Sequence, residues 1–234
     1  MSVTSLSASS QNYLKAIWSL GEWSDQPITP SLVAARVGVR LSTASDAVRK
    51  LTDQGLLHHT PYGAVALTDQ GRAHALMMVR RHRLIETFLV DVLGYRWDQV
   101  HEEAETLEHA VSEFLIERID EHLGHPEHDP HGDPIPRADG TVTALEAITL
   151  TALGTGARAR VARISDEDPG LLQFLAQVGI GVGTIIETRA GAPYSDSVEV
   201  VVNGQRMPLG RSASDAVWVT PDTPESPAPA GGDD

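Results

Sequence analysis

Hydrophobic residues recur every three or four positions along the first half of the chain, a spacing that predicts amphipathic helices. One predicted helix covers residues 7–23. A second begins at Thr29-Pro30, with Thr29 as N-cap and Pro30 at the first helical position, and ends at Gly38. A third covers residues 42–54, with Ser42 as its N-cap. Two short helices joined by a tight turn predict a helix-turn-helix.

The pattern changes further along the chain. Residues 56–68 alternate around a Pro-Tyr-Gly turn, which predicts two short strands and therefore a wing. Long helices are predicted from Thr68 to about Leu93 and from Trp97 to Leu123. The prolines of residues 124–136 exclude regular structure there. Short Val- and Ile-rich runs follow, interrupted by one predicted helix at Pro169–Val178, and they predict a small β-barrel.

Composition limits the chemistry that the chain can use. It has no cysteine, which excludes disulfides, zinc fingers and iron–sulfur clusters, so any metal must be held by nitrogen and oxygen. No apolar run approaches the roughly 18 residues that span a bilayer. Residues 1–11 are polar and lack the basic residues of a signal peptide. We therefore expect a cytoplasmic protein without a membrane partner.

Charge is distributed unevenly along the chain. The formal net charge is −14, yet residues 26–83 carry eight basic and three acidic side chains, a balance of +5. Residues 84–150 carry three basic and sixteen acidic side chains, a balance of −13. A basic helix-turn-helix on an acidic body is typical of a DNA-binding protein, although some winged helices bind protein instead. The candidate DNA contacts lie on or before the third helix: Arg40, Ser42, Thr43, Ser45, Arg49 and Lys50.

Histidines and carboxylates recur at helical spacing in the two long helices. Residues four apart lie on one face of a helix, and successive residues rotate by about 100°. An isolated buried carboxylate pair is costly, whereas a divalent cation compensates it. The spacing therefore predicts a metal site. Its candidate ligands are His82 and Glu86 on one helix, and His101, Glu105, Glu108 and His109 on the next.

Two other functions for this cluster stay open from the residues alone. A metal-dependent hydrolase could use the same side chains, but it requires an open coordination position and a positioned base, and no substrate pocket is identifiable in the sequence. The segment His101-Glu102-Glu103-Ala104-Glu105 lacks the second histidine of a zincin motif. A metal-independent regulator whose barrel binds a protein partner is the other alternative.

Six segments of the chain carry a family resemblance: Asn12–Trp18, Ser42–Ser45, Lys50–Leu56, Arg80–Glu86, Val100–His109 and Asp129–Pro136. Together they resemble the diphtheria toxin repressor family of metal-dependent regulators, and within it the manganese transport regulators of actinobacteria. The similarity covers residues 8–220.

The resemblance implies a mainly α fold with a small β part, in three domains. These are an N-terminal winged helix-turn-helix, a helical dimerisation domain that carries the metal ligands, and an SH3-like, FeoA-type C-terminal β-barrel. The expected boundaries are residues 1–73, 74–140, a linker at 141–150, 151–220, and a disordered tail at 221–234.

The resemblance also implies two metal sites. The primary site is expected to use Asn12, Glu105, Glu108 and His109, with His82 nearby or shared. The ancillary site is expected to use His82, Glu86 and His101, with Asp168 from the barrel.

The ion expected at these sites is Mn²⁺, with Fe²⁺ as the alternative and with Co²⁺ or Zn²⁺ able to substitute in vitro. Iron-sensing relatives have a sulfur ligand at the position of Glu105 and methionine at that of Asn12, and a site built only from oxygen and nitrogen suits Mn²⁺ better. This chain departs from the manganese sensors at two positions, since they have aspartate at position 12 and some have glutamate where it has Lys15.

The function implied is that of a transcriptional regulator, not an enzyme. Metal binding would fix a homodimer in the spacing that fits palindromic operator DNA, and the protein would repress genes for metal uptake.

Overall fold

The computed structural model describes residues 6–60, 63–192 and 194–222. The chain divides into two compact units, which we call the helical unit and the sheet unit. The helical unit contains the described residues of Met1–Tyr95, Val100–Asp129 and Pro134–Thr143. The sheet unit contains those of Arg96–Gln99, Pro130–Asp133 and Ala144–Asp234. The predicted fold class, mainly α with a small β part, is confirmed.

The helical unit begins with a winged helix-turn-helix. Its elements are α1 (Ala8–Glu22), α2 (Pro30–Val37), α3 (Leu41–Asp53), β1 (Leu57–His59) and β2 (Val65–Leu67). Ser7 caps α1, since its side chain accepts a hydrogen bond from Ser10 N, and the predicted cap of α2 is confirmed, because the side chain of Thr29 accepts one from Leu32 N. Gly38 ends α2 at φ 72°, a left-handed conformation that glycine adopts without strain. The strands pair antiparallel, and two residues of the predicted turn, Pro61 and Tyr62, lie outside the described residues.

The prediction that Ser42 caps α3 is wrong. The N-cap residue is Arg40, whose extended backbone (φ −70°, ψ 148°) precedes the first helical residue, Leu41. The carbonyl of Arg40 accepts a hydrogen bond from Ala44 N at 3.1 Å, and this bond closes the first turn. Ser42 therefore lies within that turn, and its exposed side chain is available to a ligand.

The longest helix, α4 (Asp69–Asp91), contributes to two hydrophobic cores. Leu76 and Val79 pack with the core of the winged helix, whereas Leu84 and Leu89 pack with α5 and α6. Thr68 caps the helix by accepting a hydrogen bond from Gly71 N at 3.0 Å. Because one rigid helix belongs to both cores, the winged helix and the following helices form a single unit.

The prediction of one helix from Trp97 to Leu123 is wrong, because the segment breaks in the middle. A short 3₁₀ turn at Trp97–Gln99 precedes α5 (Val100–Leu107), and α6 (Glu113–His122) begins only after a turn. Arg81 stabilises this turn, since its Nη1 donates to the backbone oxygens of Glu108 and Val111 at 3.3 and 3.2 Å. Ser112 then caps α6. The break places Glu108 and His109 beyond the end of α5, so helical spacing alone does not orient them.

The sheet unit is a six-stranded antiparallel sheet with two helices. The strands are β3 (Ile148–Thr149), β4 (Arg158–Ile164), β5 (Ile185–Arg189), β6 (Ser197–Val202), β7 (Gln205–Gly210) and β8 (Val217–Pro221), in the order β3-β8-β4-β5-β6-β7. The helices are α7 (Pro169–Gln177), which confirms the predicted helix, and α8 (Arg211–Asp215). The core of the sheet unit lies between the sheet and α7, with Leu172 and Leu175 buried against Ile186 and Val200.

The structure also bears on the predicted tail, the predicted linker and the predicted lack of a membrane span. Beyond Asp222 the predicted disordered tail lies outside the described residues. The predicted linker at 141–150 contains β3 near its end. In the part of the chain that the structure describes, no helix combines the length and the apolar character needed to cross a bilayer.

Candidate metal centre and DNA-binding surface

Three helices of the helical unit bring the predicted metal ligands together. Asn12 and Lys15 lie three positions apart on α1, and His82 and Glu86 lie four positions apart on α4. His101 and Glu105 lie four positions apart on α5, and Glu108 and His109 follow in the turn after it. Residues at these spacings share a helical face, so each helix presents its pair to the others.

Glu108 lies at the centre of the cluster. Its residue exposure is 0 %, and its carboxylate accepts hydrogen bonds from Lys15 Nζ at 2.7 and 2.8 Å. The Nδ1 atom of His82 is 2.6 Å from Glu108 Oε2, and Lys15 Nζ donates to Glu105 Oε1 at 2.6 Å. One ligand atom each from His82, Glu105 and Glu108 lies within 4.8 Å of the others. A single cation can therefore contact all three side chains.

Two further candidate ligand atoms of the predicted primary site are buried, and neither has a hydrogen-bond partner among the described residues. These are Asn12 Oδ1 and His109 Nε2. Gln11 Nε2 donates to Leu6 O, which leaves Gln11 Oε1 to accept a hydrogen bond from His109 Nδ1 at 2.7 Å. A proton on Nδ1 leaves the lone pair of the neutral imidazole on Nε2, the form that binds metal. A buried polar atom without a partner is costly, so both atoms fit a metal ligand.

A second group shares His82 with the first. His82 Nε2 lies 3.1 Å from Glu86 Oε1 and 3.3 Å from His101 Nδ1. His101 Nδ1 in turn lies 3.5 Å from Glu86 Oε1, and Glu86 is fully buried. The two ring nitrogens of His82 thus face the two groups, with Nδ1 toward Glu108 and Nε2 toward Glu86.

Charged neighbours within the cluster shift the pKa values of His82 and Glu105. Burial acts to lower the pKa of His82, but the charge of Glu86 and hydrogen bonds to Glu108 and Glu86 outweigh it and raise the pKa above the ordinary 6.5, against the opposing charge of Lys15. For Glu105, burial acts to raise the pKa, yet the charge and hydrogen bond of Lys15 lower it below the ordinary value. Strongly coupled carboxylates and imidazoles of this kind are typical of cation sites.

The donor chemistry matches a divalent ion that prefers oxygen and nitrogen. The buried set combines carboxylates, imidazoles and one amide oxygen, and the chain has no cysteine. The arrangement therefore fits a divalent metal ion, as the sequence predicts. Asn12 Oδ1 and His109 Nε2 are the buried polar atoms that such an ion would bind.

Asp168 is found in the sheet unit as the N-cap of α7. Its Oδ1 accepts hydrogen bonds from Gly170 N at 2.8 Å and Leu171 N at 3.2 Å. These hydrogen bonds stabilise the start of α7, so local structure accounts for an aspartate at this position. Its role as a metal ligand stays a prediction.

Two residues of the cluster were not among the predicted site residues. Gln11 orients the ring of His109, and Lys15 lies between Glu105 and Glu108. The sequence contains one signal that places Lys15 at the site: it follows Asn12 by three positions and therefore shares its helical face. No local signal distinguishes Gln11 from other glutamines.

The predicted DNA contacts form one exposed surface on α3 and the residue before it. Ser42, Thr43, Ser45 and Lys50 are exposed. Arg49 pairs with Asp46 at 3.0 Å, but both side chains are more than two-thirds exposed, at 75 % and 71 %. An exposed pair contributes only about 0–1 kcal/mol, so Arg49 can exchange Asp46 for a DNA phosphate. Arg40 extends the basic surface at the start of the helix.

Comparisons with known proteins agree with this arrangement. Residues 5–65 match the iron dependent repressor N-terminal DNA binding domain, residues 68–137 match the iron dependent repressor metal binding and dimerisation domain, and residues 148–221 match the FeoA domain. The iron-dependent repressor IdeR of Mycobacterium leprae is 34 % identical over 225 residues, which cover 88 % of this chain and 94 % of that protein. This chain belongs to the diphtheria toxin repressor family.

Other members of the diphtheria toxin repressor family share both sequence and structure with the chain. The diphtheria toxin repressor of Corynebacterium glutamicum is 32 % identical over 190 residues, which cover 75 % of this chain and 81 % of that protein. A solved manganese-dependent transcriptional repressor in complex with manganese is 50 % identical with a TM-score of 0.87, and the match covers 91 % of this chain and 99 % of that one. The zinc-bound structure of ScaR is 32 % identical with a TM-score of 0.79, covering 90 % and 98 %.

The family membership settles the class of function. The chain is a metal-dependent transcriptional repressor of this family and not an enzyme, as the sequence predicted, and the comparisons give no support to the hydrolase alternative. The matched domains support operator DNA and a dimer as its partners, and a divalent metal as its cofactor.

Proposed function

We propose that the protein is a Mn²⁺-dependent repressor that binds palindromic operator DNA as a homodimer and represses genes for metal uptake in the cytoplasm. The observation that carries the proposal is the cluster on α1, α4, α5 and the turn after α5, in which Asn12 Oδ1 and His109 Nε2 are buried and have no hydrogen-bond partner in the part of the chain that the structure describes. Manganese is favoured over iron because the donor set contains only oxygen and nitrogen. Fe²⁺ is the competing ion, since IdeR is named as iron-dependent.

Asn12, Glu105, Glu108 and His109 would hold the primary ion, and His82, Glu86 and His101 would hold the ancillary one. The bound ion supplies positive charge that neutralises buried carboxylates. Asn12 belongs to α1, whose Leu14 and Ile17 share a core with α2 and α3. Ligation through Asn12 would therefore fix the DNA-binding surface relative to α4 and α5.

A homodimer supplies the second DNA-binding surface that a palindrome requires. The helix α6 presents Phe114, which is 72 % exposed, beside Leu115, which is 45 % exposed. Exposed neighbouring apolar side chains are typical of a protein interface, and these two lie in the segment that matches the dimerisation domain. A fixed dimer would hold two α3 helices at the spacing of successive major grooves, about 34 Å.

Linkage gives the test of this function. A metal that favours the DNA-binding arrangement must raise DNA affinity, and DNA must raise metal affinity by the same factor. An operator is first selected from random duplex DNA in the presence of Mn²⁺, and its binding is then measured by fluorescence anisotropy in Mn²⁺ and in chelator. We expect affinity to fall about 5- to 150-fold in chelator, from a coupling of about 1–3 kcal/mol. Equal affinity in both conditions would refute the proposal.

Two variants separate the metal site from the DNA surface. Glu108→Gln should abolish the response to Mn²⁺, because it removes the fully buried carboxylate of the primary site. Arg49→Ala should weaken operator binding and leave calorimetric Mn²⁺ binding unchanged, because its side chain is exposed on α3. The same titration with Fe²⁺ under anaerobic conditions ranks the two ions, and sedimentation of the complex gives the number of chains per operator.

A further inference from the structure

The ammonium group of Lys15 lies where the carboxylates of the primary cluster converge. Its Nζ atom is 2.6 Å from Glu105 Oε1, 2.7 and 2.8 Å from the two oxygens of Glu108, and 3.4 Å from His82 Nδ1. These three side chains are the ones whose ligand atoms lie within 4.8 Å of one another. The lysine side chain is 12 % exposed, so its charge is largely withdrawn from water.

We propose that Lys15 is an internal cation that competes with the divalent metal for Glu105 and Glu108, and that it thereby sets the metal concentration at which the protein responds. The inference rests on the proposed function, because it requires that these two carboxylates ligate the metal. In the metal-free chain the ammonium compensates part of their charge. In the metal-bound chain it must leave, because its Nζ atom, 2.6–2.8 Å from oxygens of both carboxylates, occupies the position in which an ion bound to both would lie.

The electrostatics of Glu108 support an internal cation. A fully buried carboxylate without compensation is strongly destabilising, and Glu108 is buried completely. The ammonium accounts for two of its contacts, and His82 accounts for a third. The contacts of Glu108 are therefore already satisfied in the metal-free protein, and the metal must replace them. That replacement weakens the metal affinity that the ligands would otherwise give.

The ammonium group of Lys15 forms hydrogen bonds with only some of the atoms that would bind the metal. Asn12 Oδ1 and His109 Nε2 have no hydrogen-bond partner within residues 6–60, 63–192 and 194–222, so Lys15 is not bonded to them. An ammonium group has three N–H donors, and those of Lys15 are directed to the oxygens of Glu105 and Glu108, whereas a divalent ion can coordinate the carboxylates together with the neutral atoms. This difference gives the metal its advantage once its concentration is high enough.

The chemistry of lysine suits an exchangeable cation. Its charge is a compact group on a flexible stem of four carbons, whereas the planar guanidinium of arginine forms fixed pairs with carboxylates. Glu105, one of its two carboxylate partners, has a side chain that is 37 % exposed. The cluster therefore has an open side through which the ammonium can withdraw to solvent.

Calorimetric titration with Mn²⁺ of the chelator-stripped full chain tests the competition. The proteins compared are the natural chain, Lys15→Gln, Lys15→Arg and Lys50→Gln. Glutamine keeps a hydrogen-bond donor and removes the charge. Lys50 is the only other lysine of the sequence and is exposed on α3, so its variant is a control with the same change in net charge.

We expect Lys15→Gln to bind Mn²⁺ at least about tenfold more tightly than the natural chain, because the competing charge is gone. Lys50→Gln should bind within about twofold of the natural chain, and Lys15→Arg should bind no more tightly. Unchanged or weaker binding by Lys15→Gln would overturn the inference and would identify Lys15 as a permanent structural partner of the carboxylates.

A second measurement uses the natural chain and so does not depend on the folding of a variant. A brief pulse of an amine-acylating reagent modifies exposed lysines, and mass spectrometry compares Lys15 with Lys50 in the same molecule. We expect Mn²⁺ to increase the modification of Lys15 relative to that of Lys50. An unchanged or lower ratio would contradict displacement of the ammonium.

The outcomes also separate this inference from the proposed function. If the natural chain binds Mn²⁺ and Lys15→Gln binds it no better, the competition fails and the proposed function stands. If only Lys15→Gln binds, the competition is supported and metal activation of the natural chain fails. If none of the four proteins binds, both fail.

Discussion

Arg83 holds the first helix of the protein against the fourth. Its guanidinium donates to Glu22 Oε1 at 3.0 Å and to Glu22 Oε2 at 2.6 Å, and it also donates to Pro134 O at 2.6 Å. It lies 5.4 Å from the ring centre of Trp18. Because α1 carries Asn12 and α4 carries His82, this contact supports the metal cluster without belonging to it.

We expect Arg83→Met to lower the free energy of unfolding of the helical unit by about 3–5 kcal/mol, the range for breaking a buried ion pair on one side. The side chains of Arg83 and Glu22 are only 8 % and 9 % exposed, so the change leaves the Glu22 carboxylate buried without its bidentate partner. The lost contact with Trp18 acts in the same direction. The double variant Arg83→Met/Glu22→Met should recover much of the loss, because replacing both charges of a buried pair is often nearly neutral.

The assay is hydrogen exchange in chelator at increasing urea, followed by mass spectrometry of peptides from α1 and α4. This readout reports the helical unit alone, which matters because the chain has two compact units. Arg118→Met is the matched control, since Arg118 pairs with Glu121 at side-chain exposures of 62 % and 54 % and should contribute less than about 1 kcal/mol. A loss for Arg83→Met as small as that of Arg118→Met would show that the buried pair of Arg83 and Glu22 does not stabilise the helical unit.

Two further predictions concern the same unit. Burial lowers the pKa of His74 below the ordinary 6.5, so the unfolded chain takes up a proton first and the contribution of His74 to stability is lost as the pH falls below about 6.5. Chemical denaturation in chelator at about pH 7.5 and 5.5 should therefore show a smaller pH dependence for His74→Leu than for the natural chain; equal dependence would exclude this role. A Cβ atom at Gly71 would lie 2.0 Å from the backbone oxygen of Leu56, so Gly71→Ala should displace the start of α4 from the wing. We expect a loss of about 1–3 kcal/mol in thermal or urea unfolding, with Gln70→Ala, an exposed neighbour, as the neutral control; a loss no larger than that of the control would contradict the close contact.

Local signals in the sequence determined most of the secondary structure. Thr29, Pro30 and Gly38 predicted both ends of α2, and each acts within four residues of its own position. The strand β7 lies outside the Val- and Ile-rich runs that predicted strands, because the segment Gln205–Gly210 has no β-branched residue. It forms because a tight turn at Asn203-Gly204, with φ of 50° and 79°, returns the chain along β6.

The break between α5 and α6 shows where local signals fail. The apolar spacing from Leu107 to Ile119 continues without interruption, so the periodicity predicted one helix. Arg81, which is almost thirty positions earlier in the chain, binds the carbonyls of the intervening turn and Ser112 starts a new helix. A hydrogen bond between distant residues is invisible to any pattern that spans four positions.

The same distinction holds for the metal cluster. The residue types and their helical spacing can be seen in the sequence and predicted a metal site on two helices, and family resemblance added Asn12. The contacts of His82 with both groups, and the position of Lys15 between Glu105 and Glu108, which are 90 and 93 positions away, arise only in the folded chain. Spacing fixes which side chains share a helical face, whereas the packing of α1 and α5 on α4 fixes which faces meet and which charges compensate one another.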